Sequence, residues 1–368
     1  MKNKISLTSR VIHAPDEKPV VGQAFNQGPV FASAFHLSGA PENSPYQYGR
    51  FNNPTWQSLE NALSSLEEAH TVIFPSGMAA IAAVLTSLVS HGDQIVIPSD
   101  GYGPTRAYAK QYLQKFGVTI IEAPTLQIPT LNFSEVKLVL IETPSNPLLE
   151  VIDITALAQA VHQHGGLLAV DNTCMTPLGQ QPLALGADIS VYSDTKALNG
   201  HSDLLYGHVA SQQTNIIESI RNWRTLAGNI PGPMETWLIH RSLASLDMRL
   251  ERMTRNAQAI AEFLAAHSAV KWIRYPGLPN DPSHQLAKQQ MLNFGCLMSF
   301  ELGSVTQAET FLERCQFVYD ATSFGGIHTM AERRKRWGAD DIPEATIRLS
   351  AGCEKIDELL ADIAQALN

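Results

Sequence analysis

A lysine and an aspartate that follow short apolar runs are the residues in this sequence best suited to chemistry. Asp171 comes directly after residues 167–170, and Lys196 comes after residues 189–192, within the stretch Ser-Asp-Thr-Lys. If both runs are parallel strands, their carboxyl ends lie at one edge of the sheet, where ligands bind. A lysine flanked by hydroxyls, with an acid on a neighbouring strand, has the parts of a pyridoxal 5′-phosphate (PLP) site. The amine forms a Schiff base, the acid faces the pyridinium nitrogen, and the hydroxyls hold the phosphate.

A small turn at residues 75–80 adds a second feature. Its sequence, Pro-Ser-Gly-Met-Ala-Ala, leads into the apolar segment of residues 78–89 and therefore opens a helix. The free N–H groups and the positive dipole end at the start of a helix suit a phosphate group. The same pattern is also typical of an ordinary helix cap, so it indicates a phosphate site only in combination with the lysine.

Short apolar runs separated by helical segments must position these residues. The runs cover residues 94–98, 118–122, 137–141, 167–170 and 189–192, and residues 154–164 have a helical pattern. Continuous apolar strands that alternate with helices are typical of a mostly parallel sheet covered on both faces. The sequence therefore predicts the α/β class.

Composition and charge exclude several classes of protein. The 368 residues are 44% hydrophobic, and 26 Lys and Arg stand against 35 Asp and Glu, for a net charge of −9. Such a chain can bury a large core, and its charge argues against a nucleic-acid or membrane partner. Its four cysteines lack metal-ligand spacing, and the apolar stretch 78–89 is too short to span a bilayer. Because no apolar segment of a signal peptide follows the basic start, we expect a cytoplasmic protein. Because the cysteines lack ligand spacing, we expect no metal site.

Three regions of the chain differ in pattern. Residues 1–52 have little periodicity, which indicates an extended arm outside either core, ordered by a neighbouring subunit. Residues 53–235 carry the alternating strands and helices of a large PLP-binding α/β domain. Residues 236–368 are expected to form a connecting helix and a smaller α+β domain. One long helix is predicted from the Gly/Pro cluster near residue 233 to about His267, and further elements are expected at 296–300 (strand), 305–315 (helix) and 355–367 (helix).

The stretch around the lysine resembles a known family signature. Residues 193–203, Ser-Asp-Thr-Lys-Ala-Leu-Asn-Gly-His-Ser-Asp, are similar to the signature of the Cys/Met-metabolism family of fold-type-I PLP-dependent enzymes. Further family motifs occur in the same order over about residues 46–354: Tyr48-Gly-Arg50, Asn53-Pro-Thr55, Ser76-Gly-Met78, Tyr102-Gly103, Thr143-Pro-Ser-Asn-Pro147, Asp171-Asn-Thr173, Ser323-Phe-Gly-Gly326 and Arg348-Leu-Ser350. The resemblance implies the fold-type-I PLP-dependent transferase architecture and PLP as the cofactor.

The resemblance implies catalytic roles for three residues. Lys196 resembles the lysine that forms the Schiff base and, once displaced by substrate, moves protons between carbons. Asp171 resembles the acid that keeps the pyridine nitrogen protonated, which preserves the ring as an electron sink. Tyr102 resembles the ring that stacks on the cofactor and is a candidate for proton transfer.

It also implies how the cofactor phosphate is held. The phosphate ligands within one subunit would be Gly77, Met78, Ser193 and Thr195, and Tyr48 and Arg50 would reach the phosphate of the neighbouring subunit. Because a neighbour completes each site, the resemblance implies a homotetramer built from dimers that share active sites.

The substrate would bind through its α-carboxylate. Arg348, with Asn146 and Ser323, resembles the group that holds it, and a bidentate guanidinium suits a carboxylate. The implied activity is C–S bond cleavage in cystathionine or a related sulfur amino acid by γ-elimination. Two alternatives stay open: γ-replacement, as in cystathionine γ-synthases and O-acylhomoserine sulfhydrylases, and cleavage of the β bond, as in cystathionine β-lyases.

Two residues depart from the family pattern and leave the preferred substrate open. Pro104 stands where many members have Gly and methionine γ-lyases have Cys. His328 stands where γ-synthases and many γ-lyases have Glu, in a place expected to face the distal amino group of cystathionine. Histidine would interact with an ammonium group differently from a carboxylate.

Two readings from other classes are weaker. An NAD-dependent oxidoreductase would need a dinucleotide fingerprint, and the stretch that begins Gly101-Tyr-Gly103 has Arg106 where the third glycine belongs. An inactive, interaction-only relative would be expected to have lost Lys196 or Asp171, and both are present.

Overall fold

A computed structural model of the protein describes residues 5–13, 21–22, 24, 27–338 and 341–368. In this part of the chain, twelve strands form a seven-stranded and a five-stranded sheet. The first sheet contains β1 (His70–Phe74), β2 (Gln94–Pro98), β3 (Thr119–Ala123), β4 (Val136–Glu142), β5 (Leu167–Asp171), β6 (Ile189–Tyr192) and β7 (Gly207–Ser211). The second contains β8 (Trp272–Arg274), β9 (Leu297–Glu301), β10 (Tyr319–Asp320), β11 (Met330–Arg333) and β12 (Thr346–Ser350).

Helices surround both sheets. They are α1 (Leu7–Ile12), α2 (Pro54–Glu67), α3 (Gly77–Leu88), α4 (Gly103–Tyr108), α5 (Ile154–His162), α6 (Thr176–Gly179), α7 (Thr214–Ala227), α8 (Pro233–Leu243), α9 (Leu246–Ala266), α10 (His284–Gln290), α11 (Val305–Arg314) and α12 (Ile356–Leu367). Short 3₁₀ segments lie at Pro41–Asn43, Gln114–Phe116, Thr125–Thr130 and Arg334–Trp337, and a π-helical turn lies at Ala109–Leu113. Among the described residues, no helix is both long and apolar enough to cross a membrane.

The first sheet confirms the predicted α/β class. Its strand order is β1-β7-β6-β5-β4-β2-β3, and β6, β5, β4, β2 and β3 pair in parallel. Successive residues of one strand enter opposite cores: Ile95 packs in the cluster that contains residues of α3 and α7, and Val96 packs in the cluster that contains residues of α5. Because side chains of a strand alternate in direction, both faces of the sheet are covered, as continuous apolar runs predict.

Strand β7 has no clear signal in the sequence, because only Val209 and Ala210 of Gly-His-Val-Ala-Ser are aliphatic. It pairs antiparallel with both β1 and β6 and is fully buried. A Cβ at Gly207 would lie 2.7 Å from the backbone oxygen of Ser76. Glycine is therefore required where β7 passes the start of α3.

The predicted long helix that ends near His267 is wrong in one respect, because it is two helices, α8 and α9. The break lies at residues 244–245, and Arg249 in the second helix explains it. Its guanidinium donates to the backbone oxygen of Ser242 at 3.0 Å and to those of Ala197 and Leu198 at 2.7 and 3.1 Å. The arginine thus satisfies a carbonyl at the end of α8 and ties the helix junction to the chain just after Lys196.

Helix α9 connects the two cores, as the predicted connecting helix would. Leu246 and Leu250 pack in the cluster that contains Trp56, whereas Ala257 and Ile260 pack with the second sheet. The second sheet has the order β10-β11-β12-β9-β8 and is antiparallel except for the β10–β11 pair. The predicted strand at 296–300 and helices at 305–315 and 355–367 correspond to β9, α11 and α12 within a residue at each end.

The start of the chain differs from the expectation that nothing before residue 50 belongs to a core. Val11 in α1 is 1% exposed and packs in the same cluster as Leu59. The sequence around Val11 has too little hydrophobic periodicity for this residue or its helix to be recognised in advance. Residues 27–40 have no helix, and Phe31 among them is 69% exposed.

A buried ion pair joins α2, β1 and α7. Arg224, fully buried, donates to Glu60 Oε1 at 2.7 Å and to the backbone oxygen of Ile73 at 3.1 Å, and lies over the Trp56 ring. Arg221 donates to Glu60 Oε2 at 2.9 Å. Burial raises the pKa of Glu60, but the two guanidinium groups outweigh it and hold that pKa below its ordinary value.

Substitution of Glu60 should therefore be costly. Glu60→Gln leaves Arg224 without its counter-charge, and we expect the free energy of unfolding to fall by about 3 kcal/mol. Chemical denaturation of both proteins measures the difference. Glu358→Gln, in the exposed Lys355–Glu358 pair, is the matched control and should cost less than about 0.5 kcal/mol. Equal losses in the two variants would contradict this account of the pair.

Candidate active site

Polar residues meet at the carboxyl ends of β4, β5 and β6. Glu142 is the last residue of β4, Asp171 is the last of β5, and the two are paired in register. Asp171 is in turn paired with Val191 of β6, and Ser193 follows that strand. The parallel strands therefore place the predicted acid and the predicted lysine loop at the same edge of the sheet.

The amine of Lys196 contacts residues of the second half of the molecule. Its Nζ donates to Ser323 Oγ at 2.7 Å and lies 5.0 Å from the centroid of the Phe324 ring. Ser323 follows β10 and has a φ of +85°, in the left-handed region. Burial and the nearby Arg348 guanidinium lower the pKa of Lys196 to about 8. A lysine with this pKa is about one-tenth neutral at pH 7 and about half neutral at pH 8. The neutral amine is the form that acts as a nucleophile or a base.

The carboxyl group of Asp171 is held by the next turn of the chain. The backbone N–H of Thr173 donates to Asp171 Oδ1 at 3.0 Å, and the Thr173 hydroxyl oxygen accepts from the backbone N–H of Ser193 at 2.8 Å. Burial raises the pKa of Asp171, although its bonds with Thr173 oppose that rise. A cationic ligand group at this carboxyl would favour its ionised form.

The start of α3 lies against the loop that carries Lys196. Ser76 caps the helix, and its Oγ accepts from the backbone N–H of Ala79 at 3.1 Å. A Cβ at Gly77 would lie 2.6 Å from Ser193 Cβ and 2.9 Å from Ser193 Oγ. The glycine therefore allows the helix N-terminus and a hydroxyl to share one small space, which suits a phosphate group.

Arg348 in β12 is fixed on three sides. It donates to Asn146 Oδ1 at 2.9 Å and to the backbone oxygen of Ser323 at 2.9 Å. It also forms a close ion pair with Glu332, its register partner in β11. Burial raises the pKa of Glu332, but the charge of Arg348 together with the bonds from Trp337 and Arg334 outweighs burial, and that pKa lies below its ordinary value. The three predicted carboxylate-binding residues are thus in direct contact.

Tyr102 precedes α4 and lies beside the two strand-end acids. Its backbone N–H donates to Glu142 Oε2 at 3.1 Å, and its side chain is 45% exposed. Burial, followed by the charges of Asp171 and Glu142, raises the pKa of Tyr102. Pro104 lies in the first turn of α4, a position where proline favours the start of a helix.

Tyr48 and Arg50 are apart from this group. Arg50 donates to the backbone oxygen of Thr225 at 2.7 Å and lies over the ring of Phe51. Tyr48 is 44% exposed and packs edge-on against Phe51. Among the contacts of the described residues, none joins either side chain to Lys196.

His328 does not join the site either. It is exposed, and its ring lies 5.7 Å from that of Tyr319, on the short strand β10. The described contacts include none from His328 to Lys196, Ser323 or Arg348. The expectation that this residue faces a bound substrate therefore has no support in the geometry of the single chain.

Sequence reasoning missed two acidic residues of the site. Glu142 could have been found, because it ends an apolar run just as Asp171 does. No sequence pattern pointed to Glu332, because the basic run 333–336 beside it predicts a solvated or subunit-facing surface. In the structure that run is paired with acids: Arg334 and Arg336 both contact Glu332.

Comparison with known proteins identifies the family. The family model described as "Cys/Met metabolism PLP-dependent enzyme" matches residues 8–368. The chain belongs to this family.

Relatives and solved structures agree with that membership. A putative cystathionine gamma-lyase of Streptomyces coelicolor is 48% identical and covers 98% of this chain and 93% of its own. A cystathionine beta-lyase of Lactococcus lactis subsp. cremoris is 37% identical and covers 98% and 99%. The crystal structure of cystathionine gamma synthase from Xanthomonas oryzae pv. oryzae, in complex with aminoacrylate and cysteine, has a TM-score of 0.94 at 33% identity and covers 99% and 98%.

The cofactor of this Cys/Met-metabolism enzyme is PLP, and the residues present fit it. The space that a Cβ at Gly77 would fill suits the phosphate, and the amine of Lys196 is partly neutral near pH 8. Asp171, whose pKa is raised by burial, offers an acid for the pyridine nitrogen. The enzyme acts on a small amino-acid substrate, in keeping with its family.

The lowered pKa of Lys196 predicts how the apoprotein captures PLP. Only the neutral amine attacks the aldehyde, so the rate of covalent capture should rise with pH through a midpoint near 8. Stopped-flow absorbance of apoprotein mixed with PLP measures this rate. Arg348→Met removes a nearby positive charge and should move the midpoint to higher pH, whereas Arg333→Met, outside the site, should not. A midpoint above pH 10, as for an exposed lysine, would contradict the assignment.

Proposed function

We propose that this enzyme cleaves the Cγ–S bond of cystathionine or a related thioether amino acid by γ-elimination. The observation that carries the proposal is the double use of Ser323. Its hydroxyl accepts from Lys196 Nζ, and its backbone oxygen accepts from Arg348. Lys196, a base for the α-carbon, and Arg348, a cation for the α-carboxylate, therefore contact the same residue. Chemistry at the α-carbon requires the two groups to be this close.

Arg348 binds the α-carboxylate of the substrate. Asn146 and Glu332 hold its guanidinium from the sides, so its orientation is set before the substrate arrives. A guanidinium presents two parallel donors to a carboxylate, which fixes direction as well as position. The α-carbon then faces Lys196.

PLP, when bound, supplies an electron sink for the negative charge that develops on the substrate carbon. Lys196 holds the cofactor and then moves protons at the α- and β-carbons, for which a pKa near 8 is well matched. Asp171 keeps the pyridine nitrogen protonated. Tyr102, partly exposed beside Asp171 and Glu142, would pack against the cofactor ring and take part in proton transfer.

The phosphate is held by the loop and helix start already described. The backbone N–H groups of Gly77 and Met78 and the hydroxyls of Ser193 and Thr195 bind it within one subunit. Thr195 is itself fixed, since the backbone N–H of Tyr206 donates to its Oγ1 at 2.9 Å. Tyr48 and Arg50 complete the phosphate site of a neighbouring subunit, which is consistent with their distance from the lysine of their own chain.

The proposal includes assembly and location. The functional unit is a cytoplasmic homotetramer, a dimer of dimers that share active sites, and residues 1–52 contribute to the neighbour, apart from α1. Residues 53–235 form the PLP-binding domain, and residues 236–368 form the connecting helix and the domain that supplies Ser323 and Arg348.

Elimination is favoured over replacement by the names of the relatives. The relative at 48% identity is a putative cystathionine gamma-lyase, whereas the beta-lyase is 37% identical and the gamma-synthase structure 33%. Replacement would pass through the same early proton transfers and differ only in whether a thiol traps the product of the first half-reaction.

A product assay separates these activities. The enzyme is incubated with cystathionine, cysteine, methionine or an O-acylhomoserine plus thiol, and 2-oxobutanoate, pyruvate and thioether are measured. We expect 2-oxobutanoate and cysteine from cystathionine. Lys196→Ala, which removes the base, should lower the rate at least 1000-fold, whereas the surface variant Lys355→Ala should not. Pyruvate without 2-oxobutanoate would establish β-cleavage, and thioether alone would establish replacement; either result would overturn γ-elimination.

The shared site predicts complementation between two impaired variants. Arg50→Ala should weaken PLP retention in the assembled enzyme, because it removes a cation from the neighbour's phosphate. At a PLP concentration too low to saturate Arg50→Ala, mixing its subunits with those of Lys196→Ala should raise activity, since each mixed dimer has one complete site. Equilibrium dialysis and activity after refolding the mixture provide the measurement. Unchanged PLP retention, or no recovery on mixing, would show that Arg50 acts within its own chain or not at all; Arg333→Ala is the control.

A further inference from the structure

A histidine and two carboxylates lie buried behind the lysine loop, and the proposed chemistry does not use them. His208 and Asp194 are fully buried, and Glu67 is 7% exposed. His208 Nδ1 donates to Asp194 Oδ1 at 2.7 Å, and its Nε2 lies 3.5 Å from Glu67 Oε1. The imidazole stacks on the ring of Tyr192, with centroids 4.3 Å apart and planes 8° from parallel.

These contacts favour the cationic form of His208. Burial alone would lower its pKa, but Asp194 and Glu67 outweigh burial and raise the pKa of His208 to about 9. This pKa favours a protonated imidazole at neutral pH, with Nδ1 facing Asp194 and Nε2 facing Glu67. A charged pair taken out of water is held to one geometry, because either partner without the other would be an uncompensated buried charge.

Asp194 lies between Ser193 and Thr195, the two hydroxyl residues next to Lys196. Hydrogen bonds to two neighbouring segments also fix this stretch. The backbone N–H of Ser193 donates to Thr173 Oγ1, and Thr195 bonds to the Tyr206 backbone through both its N–H, at 3.3 Å, and its hydroxyl. The Asp194 side chain adds a charged bond from the middle of the stretch to β7. It points to the core, whereas Ser193 packs against Gly77 at the start of α3.

Strand β7 also contacts the other half of the same space. Gly207, the residue before His208, lies so close to α3 that its Cβ would be 2.8 Å from both the Cα and the nitrogen of Gly77. The first two residues of β7 therefore contact both sides of the proposed phosphate site. Gly207 packs against Gly77 at the start of α3, and His208 bonds to Asp194 in the lysine loop. The start of β7 therefore contributes to the position of the loop relative to the helix, beside the bonds of the loop with Thr173 and Tyr206.

We propose that Asp194 and His208 are positioning residues for the cofactor phosphate: their buried ion pair sets the loop of Ser193 and Thr195 against the N-terminus of α3. The proposal rests on the proposed roles of Gly77, Ser193 and Thr195 as phosphate ligands. Glu67 supports the pair from the far side of the imidazole. None of the three side chains touches the cofactor.

Binding of PLP compared with binding of pyridoxal, which lacks the phosphate, tests this role. Dissociation constants of both compounds are measured by equilibrium dialysis with apoprotein, and thermal midpoints of the apoproteins are recorded. In Asp194→Ala we expect PLP to bind at least tenfold more weakly, pyridoxal to bind within twofold of the unchanged protein, and the thermal midpoint to fall. The preference for PLP over pyridoxal is a readout that a merely structural loss would not move.

A triple variant guards against a failure to fold. Asp194→Ala combined with His208→Leu and Glu67→Gln removes all three charges, so no charge of the cluster is left unpaired and the thermal midpoint should recover relative to Asp194→Ala. The weakened PLP binding should remain, because the bond between loop and strand is still absent. A triple variant that binds PLP within twofold of the unchanged protein would overturn the proposal, as would an equal weakening of pyridoxal binding.

The control is a histidine–carboxylate pair at the other end of β6. Asp188 directly precedes β6, at the end remote from the site, and its Oδ2 lies 2.8 Å from Nε2 of His162 in α5. His162→Leu should leave the preference for PLP unchanged, and a loss equal to that of Asp194→Ala would also overturn the proposal. Repeating the dialysis in a Lys196→Ala background separates the proposed role of Asp194 from that of Lys196. Visible aldimine absorbance that persists in this background would refute the role of Lys196. The ratio of the dissociation constants of PLP and pyridoxal would still report on Asp194.

Discussion

The hydrogen bond from Lys196 Nζ to Ser323 Oγ joins the two halves of this protein at the proposed active site. A buried amine is tolerated only if it is partly neutral or paired, and burial with the charge of Arg348 lowers the pKa of Lys196 to about 8. Lys196 and Asp171 lie at the edge of the first sheet, and Ser323 and Arg348 belong to the second half of the chain. Neither half contains all four of these residues.

The surrounding structure keeps these groups in place with charged bonds to backbone and side chains. Arg249 donates to the oxygens of Ala197 and Leu198, immediately after the lysine, and so ties the junction of α8 and α9 to the loop. Glu332 and Asn146 hold Arg348 from either side. Many charges are therefore buried at one place, and each has an opposite charge or a hydrogen-bond partner that offsets its loss of water.

Much of the fold could be predicted from the sequence, because β2 to β6 are continuous apolar runs that only a covered parallel sheet explains. Strand β7 could not, since its burial comes from pairing with β1 and β6 rather than from its own side chains. The break between α8 and α9 depends on Arg249, a contact between distant residues. Motifs located Lys196, Asp171 and Arg348, because each lies in a short stretch of sequence with a recognisable pattern. Glu332 and the Asp194–His208 pair depend on contacts between distant residues, so only the structure identified them.

The role of Lys196 as the residue that holds PLP can be tested directly. Treatment of the holoenzyme with borohydride fixes the cofactor to the amine that carries it, and digestion followed by mass spectrometry locates the modified residue. We expect a phosphopyridoxyl group on Lys196, in the peptide that also contains Ser193 and Thr195. Modification of a different lysine, with Lys196 unlabelled, would refute this role.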